Sequence, residues 1–230
     1  MSLAGKGAVA IWHDIAHEGR NAFYEWHGRE HMPERAGIPG FLRGRRYVAI
    51  DGAPEYFNLY ETVSRFTVTG ADYLRRLNAP TPWTVETIRH FRNVSRSLCE
   101  VAASYGEGQG GLVATLRYDV AESQAVAHRQ RLGRETLAAF AESRGVAGCH
   151  LLIADAAASA VDTAERRARA EQNLIPRWIV LVESWDDVDA FRKIAAEMAA
   201  HPALVDAIEP PVLGIYRLQN SRVQLPWTAG

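Results

Sequence analysis

Apolar residues that alternate with polar ones mark strands, and apolar residues that recur every three to four positions mark helices. On that reading the first half of the chain predicts a strand over 7–15, a helix over 21–35, strands over 41–51 and 55–64, a helix over 71–91 and a strand over 94–104. Gly52-Ala53-Pro54 supplies the turn between the two middle strands. The second helix is interrupted at Ala79-Pro80-Thr81-Pro82. There Thr81 as N-cap and Pro82 at the first helical position restart it, because proline lacks only a donor that is unpaired at that point. The second half repeats the order, with a strand over 111–119, a helix over 123–143, strands over 146–155 and 177–185, a helix over 187–201 and a strand over 211–219. Between its middle strands the Ala- and Arg-rich segment Ala156 to Gln172 predicts a short helical excursion.

The repetition extends to residues. Gly37-Ile38-Pro39-Gly40-Phe41 returns as Gly145-Val146-Ala147-Gly148-Cys149, Leu59-Tyr60-Glu61-Thr62 as Leu181-Val182-Glu183-Ser184, and Asp72-Tyr73-Leu74-Arg75-Arg76-Leu77 as Asp189-Ala190-Phe191-Arg192-Lys193-Ile194. The Gly-rich stretch Gly106 to Gly111 reads as a flexible linker, so the expected repeats are residues 1–106 and 111–230. Each βαββαβ unit makes an antiparallel sheet with its helices on one face. The other face still carries alternating apolar residues and needs a cover, which a second sheet of the same kind can provide. This α+β arrangement, two tandem ferredoxin-like repeats packed as a barrel within one chain, resembles the dimeric α+β barrel superfamily over nearly the whole length.

Composition narrows the function classes. With 26 basic and 27 acidic residues the formal charge is -1, which gives no electrostatic reason to expect nucleic acid or an anionic membrane as partner. No apolar run approaches the roughly 20 residues of a membrane helix. Met1 to Gly7 lacks the apolar stretch of a secretory signal. Cys99 and Cys149 fall in different repeats without a C-x-x-C, which argues against a disulfide framework, a structural zinc site or Fe–S chemistry. A reduced, cytoplasmic setting is the expectation. Dinucleotide, Walker and G-x-S-x-G motifs are missing from the sequence. Trp12, Trp83, Trp178 and Trp185 read most simply as core residues.

The first helix is the most informative stretch. At about 100° per residue, Phe23, Tyr24, Trp26, His27, Glu30 and His31 share one side, and Glu25, Gly28, Arg29 and Met32 the other. Two histidines and a glutamate on an aromatic, inward side are costly to bury unless they are hydrogen-bonded or face a cavity. Pro33 and Gly37 are expected to end the helix. Hydrophobic matching in the middle hairpin pairs Val48 with Leu59 and Ile50 with Phe57, which sets Arg46 opposite Glu61 as an ion pair and Tyr47 opposite Tyr60. In the second repeat Glu183 recurs, but Ala154 stands where the partner of Arg46 is expected, which points to the first repeat for any site. His13 shares a face of the first strand with Val9 and Ile11.

The run Trp26-His27-Gly28-Arg29-Glu30-His31-Met32-Pro33-Glu34, followed by Pro39-Gly40-Phe41 and Arg45-Arg46-Tyr47, is similar to a pattern of that superfamily, nearest to EthD-like proteins. The resemblance implies a small-molecule pocket, and His13 stands where some polyketide-cyclase members carry a catalytic base. Reactions in the superfamily include cofactor-free monooxygenation, isomerisation, decarboxylation, cyclisation and haem handling, so shared fold does not name the chemistry. His27-Gly28-Arg29-Glu30-His31 also matches the H-x-x-E-H zinc pattern. That match is discounted because Pro33 follows the second ligand directly and no third ligand is evident.

The reading is therefore a cofactor-independent enzyme, or a binder, of a small organic molecule, aromatic ones included, with no cofactor and no metal. His13, His27, His31 and Arg46 are the catalytic candidates, the histidines moving a proton. Tyr24, Trp26, Tyr60 and Glu61 are the substrate-binding candidates. The expected partner is a small-molecule ligand, with neither nucleic acid nor membrane, and a homo-oligomer is left open. The alternative readings are a non-enzymatic ligand-binding or assembly protein of the same fold, and a haem-handling protein with the inward histidines as axial ligands. For each histidine and for the charged pair, a purely structural role competes with these.

Overall fold

The computed structural model describes residues 3–169 and 173–224. The last residues of the Ala156 to Gln172 excursion, the start of the first expected repeat and the end of the second lie outside them. The first repeat runs β1 (Gly7–Ile15), α1 (Arg20–Trp26), a π-helical turn (His27–His31), α2 (Met32–Ala36), β2 (Phe41–Asp51), β3 (Tyr56–Thr62), α3 (Arg65–Thr69), α4 (Ala71–Asn78), α5 (Pro82–Ile88) and β4 (Phe91–Tyr105). The second runs β5 (Leu112–Tyr118), α6 (Ala125–Gln130), a π-helical turn (Arg131–Thr136), α7 (Leu137–Phe140), β6 (Val146–Ala154), α8 (Ala156–Ser159), α9 (Ala164–Arg167), β7 (Trp178–Ser184), α10 (Val188–Ala199) and β8 (Val212–Val223). Thr81 caps α5 as expected, its hydroxyl accepting from the Thr84 amide. No helix among the described residues is long and apolar enough to cross a membrane.

The strands close into one barrel in the order β1-β3-β2-β8-β5-β7-β6-β4. The two four-stranded sheets meet at two antiparallel seams, β2 with β8 and β4 with β6. Each sheet covers the other's apolar face, so the covered faces become the barrel interior. Trp12, Tyr47, Phe57, Leu59, Leu181 and Tyr216 fill it, as expected for eight strands, whose interior is just wide enough for side chains. The helices of the first repeat cover the outer face of its sheet and α6, α7 and α10 that of the second, while α8 and α9 lie over the first.

The pairings reveal a repeat closer than the sequence alignment suggested. His13 pairs with Tyr56 in the first repeat and Tyr118 with Trp178 in the second, so β1 maps onto β5 and β3 onto β7. Arg43 opposes Glu61, and Gly148 opposes Glu183, each just after the same β-bulge. The left-handed glycine before the second strand is Gly40 in one repeat and Gly145 in the other. The alignment of Gly37 with Gly145 was therefore three residues out. A further match lies in the equivalent π turns, where Gly28-Arg29-Glu30 corresponds to Gly133-Arg134-Glu135.

Several expectations are corrected. Arg46 opposes Asn58, not Glu61, and Tyr47 opposes Phe57, not Tyr60. The register slips by three residues because the β2–β3 connection is longer than a tight turn. Ala49 closes it by donating to the Glu55 carbonyl, while Ala49 and Asp51 still pair with β8. Leu151, not Ala154, stands in the place of Arg46. The helix runs through Pro33 to Ala36, one residue past its expected end and just before Gly37, while Met32 turns inward, against its expected place on the outer side. The wider π turn rotates everything beyond it relative to a uniform 100° wheel. Trp12 and Trp178 are core residues, whereas Trp83 and Trp185 are exposed, Trp185 at 64%. The linker is built in rather than loose, with the Gly110 amide donating to Glu183. A Cβ on Gly110 would come within 2.1 Å of the Ser184 carbonyl oxygen.

Candidate functional site

The polar residues of interest fall on two faces of the first sheet. Glu61 points into the barrel, where its carboxylate takes Arg43 at 2.6 Å and Arg45 at 2.9 Å. Arg45 also reaches Glu183 at 2.9 Å, so one guanidinium joins the equivalent glutamates of both repeats. Its charge holds the Glu183 carboxyl down at about 2 against the opposing effect of burial. Glu61 is thus part of an internal clamp and does not share a space with the histidines, which corrects its assignment to the ligand site.

The other face looks outward to α1 and its π turn. His13 on β1, Asn58 and Tyr60 on β3, and Arg46 on β2 meet His27 and His31 there. Tyr60 approaches His27 Nε2 at 3.2 Å and Arg46 approaches His27 Nδ1 at 3.3 Å. A guanidinium can only donate, so Nδ1 accepts and Nε2 carries the proton in the neutral ring. The logic repeats at His13, whose Nδ1 faces the Asp14 carbonyl at 3.3 Å while its Nε2 faces the Asn58 side-chain amide at 2.9 Å. A carbonyl only accepts, which puts the proton of His13 on Nδ1 and assigns the Asn58 nitrogen as its donor. His31 lies against Trp26, with ring centroids 4.3 Å apart, and 5.5 Å from the His27 ring.

All three imidazoles are pushed toward the neutral form. Burial is the main cause each time, lowering His13 to about 3 and His27 and His31 well below the usual histidine range. Arg46 is the leading charge acting on His27, and Arg35 on His31. Arg46 itself stands over the Tyr24 and Phe23 rings, 5.0 and 5.5 Å from their centroids, and donates to Gln219 at 2.8 Å. It has no carboxylate partner among the described residues.

The remaining candidates are also placed. Tyr24 shares a 2.8 Å hydrogen bond with Tyr56, and the Trp26 indole donates to Thr84. Glu30, the middle member of H-x-x-E-H, accepts from Thr81 and Thr84 instead of joining the histidines. The layer also leaves three buried polar atoms without a partner, namely His31 Nδ1, Asn58 Oδ1 and Arg169 Nε. Native structures rarely tolerate this, so such atoms mark places where a water or ligand supplies the missing bond. Two open clefts of about 650 and 660 Å³ lie elsewhere, one beside the linker and Trp185, the other near Arg117 and Leu174.

Sequence reasoning missed Asn58, although a signal existed, because a lone amide stands between Tyr56 and Tyr60 on one strand face. It also missed Arg35, Arg96 and Arg169. The last comes from the excursion of the second repeat, for which no local pattern gives an address. That excursion lies across the first repeat. Ser159 accepts from the Leu98 amide, Glu165 pairs with Arg35, and Leu174 exchanges backbone bonds with Val94 and Arg96. The second repeat has a polar chain of its own, in which Tyr118 meets His128 Nε2 at 2.9 Å and Asp206 meets His128 Nδ1 at 3.1 Å.

A closed eight-stranded antiparallel barrel with helices outside, made from two ferredoxin-like units in one chain, is the fold of the dimeric α+β barrels. The chain matches no family model and no curated protein. Solved structures do match. An anthrone oxidase-like protein superposes with a TM-score of 0.62 at 13% identity, covering 97% of this chain and 96% of that one. A protein of Fusobacterium nucleatum subsp. nucleatum, provisionally described as a monooxygenase, gives 0.57 at 8% identity, covering 96% of each chain. A provisional monooxygenase of Lactobacillus acidophilus gives 0.54 at 12% identity, covering 95% and 97%. At such identities the likeness establishes the fold alone.

Proposed function

We propose that the helix-facing layer of the first repeat binds a small organic, aromatic molecule and transfers a proton on it without a cofactor. The observation that carries this reading is the set of unpartnered buried atoms, His31 Nδ1 and Asn58 Oδ1, within a layer of neutral histidines and aromatic rings. A ligand with one donor and one acceptor would satisfy both atoms and keep its apolar body against Phe23, Trp26 and Tyr56. Neutral histidines are proton acceptors at pH 7. His31 is left as the base, because His27 has Nδ1 held by Arg46 and gives its Nε2–H to Tyr60, which positions both. Arg46 stands where it can stabilise an oxygen that gains negative charge. His13 has both nitrogens engaged, so its role in this reading is to hold Asn58. Tyr24 and Trp26 form the wall. The EthD-like pattern of the first helix and the anthrone oxidase-like neighbour are in keeping with such a ligand.

The test is a ligand-observed NMR screen of small aromatic ketones and phenols, followed by deuterium exchange of the bound ligand's acidic C–H in D₂O. Binding and exchange in the wild type, both lost in His27→Ala and His31→Ala but kept in Thr136→Ala of the second repeat, are expected. Binding without exchange would favour the non-enzymatic reading. A Soret band on adding haemin, lost in His31→Ala, would favour haem handling. Failure of the whole panel to bind would remove the proposal.

A further inference from the structure

Arg96 lies on β4 with its guanidinium buried, and Tyr73 is its hydrogen-bond acceptor at 3.0 Å. Arg169, brought over by the excursion, bonds Asn173 through Nη1 at 3.2 Å, while its buried Nε has no partner. Neither guanidinium has a carboxylate within ion-pair distance among the described residues. Glu165, whose charge acts on Arg169, is committed to Arg35. Arg96 is the leading charge acting on Arg169, and with burial it brings Arg169 down to about 10, Glu165 and Tyr73 opposing the shift and Arg35 adding to it. Arg169 is tied to Asn173, and the next residue, Leu174, is bonded to the Arg96 backbone, so two cations come together without a counter-ion among the described residues, an unfavourable arrangement poised for an anion.

The placement is deliberate in chain terms. Arg96 donates its amide to the Leu174 carbonyl, and Leu174 returns its own amide to Val94, which fixes the returning chain along β4. Ala168 packs against the cluster of Phe23, Trp26 and Tyr56, so its neighbour Arg169 borders the same layer, and its charge acts on His13 and His31. At the position equivalent to Arg96 the second repeat has Leu213, since Ile11 pairs with Arg96 where Leu116 pairs with Leu213. The fold can therefore be built with an apolar residue there.

We infer that Arg96 and Arg169 form a carboxylate-binding wall of the first-repeat site, so that its ligand is a small aromatic acid and the second repeat completes the site through its excursion. This rests on the preceding reading of where the ligand lies. A guanidinium presents a planar fork of donors that matches the two oxygens of a carboxylate. Arg46, over the Tyr24 and Phe23 rings, is left for a second oxygen of the ligand. The charge of such a ligand would also offset the arginines that depress His27 and His31, making these histidines better bases when the site is filled.

The experiment titrates the full-length protein with benzoate and, separately, with the isosteric neutral benzamide, following tryptophan fluorescence and confirming by calorimetry. Benzoate is expected to bind at least about tenfold more tightly than benzamide. Arg96→Gln and Arg169→Gln should each remove that preference, weakening benzoate far more than benzamide. Equal binding of the two probes, or a benzoate affinity that falls in His27→Ala but not in Arg169→Gln, would overturn the anion wall and leave the site standing. Binding of neither probe would count against both. A second reading needs no ligand. Arg169→Met, which relieves the like-charge pair, should raise the melting temperature of the ligand-free protein, and a fall of several degrees would show instead that Arg169 is a structural residue.

Discussion

The two repeats pack a helix with a π turn onto a four-stranded sheet in the same way, yet the layers between helix and sheet differ in chemistry. Equivalent positions carry His27 and Leu132, Arg46 and Leu151, Asn58 and Val180, Tyr60 and Val182, Arg96 and Leu213. In the second repeat these residues join a continuous apolar core. The fold is thus satisfied by aliphatic packing, and the polar set of the first repeat is surplus to what the architecture needs. Buried histidines and arginines cost desolvation that leucine and valine do not. A histidine, arginine and amide set kept at positions that are aliphatic in the other repeat, whose own polar chain is Tyr118–His128–Asp206, is the argument for function, and it is independent of the π turn, which both repeats share. Inside the barrel the relation is reversed. There Glu61 and Glu183 occupy matching positions and Arg45 joins them, so that cluster belongs to assembly.

Acid should give the largest break between the layers. At pH 7 His13, His27 and His31 are neutral folded or unfolded, and they cause no pH dependence. Below the unfolded value of 6.5 the unfolded chain binds protons that the folded chain refuses, because the folded values are lowered. Stability then falls as pH falls, by about 1.4 kcal/mol per pH unit for each histidine, or roughly 4 kcal/mol per unit for the three together. Urea melts at pH 7, 6 and 5 measure it, and a flat profile would contradict the buried neutral layer. Next in size, Arg45→Ala leaves Glu61 with Arg43 alone and Glu183 without its arginine, and should cost about 3–5 kcal/mol at pH 7.

Leu132→His places the first repeat's residue in the second repeat's layer, where Val182 stands in for Tyr60 and Leu151 for Arg46. An imidazole with no partner there should cost about 2–4 kcal/mol by the same melts. The reciprocal His27→Leu should be the mildest, within about 1 kcal/mol of wild type at pH 7, because the vacated bonds are modest and the leucine packs. It should also make the acid slope shallower by about 1.4 kcal/mol per unit and abolish ligand binding. A loss as large as that of Leu132→His would instead mark His27 as a structural residue.

The amino-acid sequence by itself determined the element order, the tandem repeat and the closing of two sheets on one another. These follow from periodicity, from turn residues such as Gly40 and Gly145, and from apolar faces that must be covered. It also grouped His27 and His31 with Phe23 and Trp26, because helical spacing is local information. Tertiary structure alone decided which face of β3 each polar residue takes. The register of a hairpin depends on how its connection is closed, and a longer loop moved Arg46 from Glu61 to Asn58 and sent Glu61 into the barrel. Only tertiary structure, too, brought Arg169 beside Arg96. That contact joins residues of different repeats through backbone bonds at Leu174, and no spacing in the sequence records a meeting between segments so far apart.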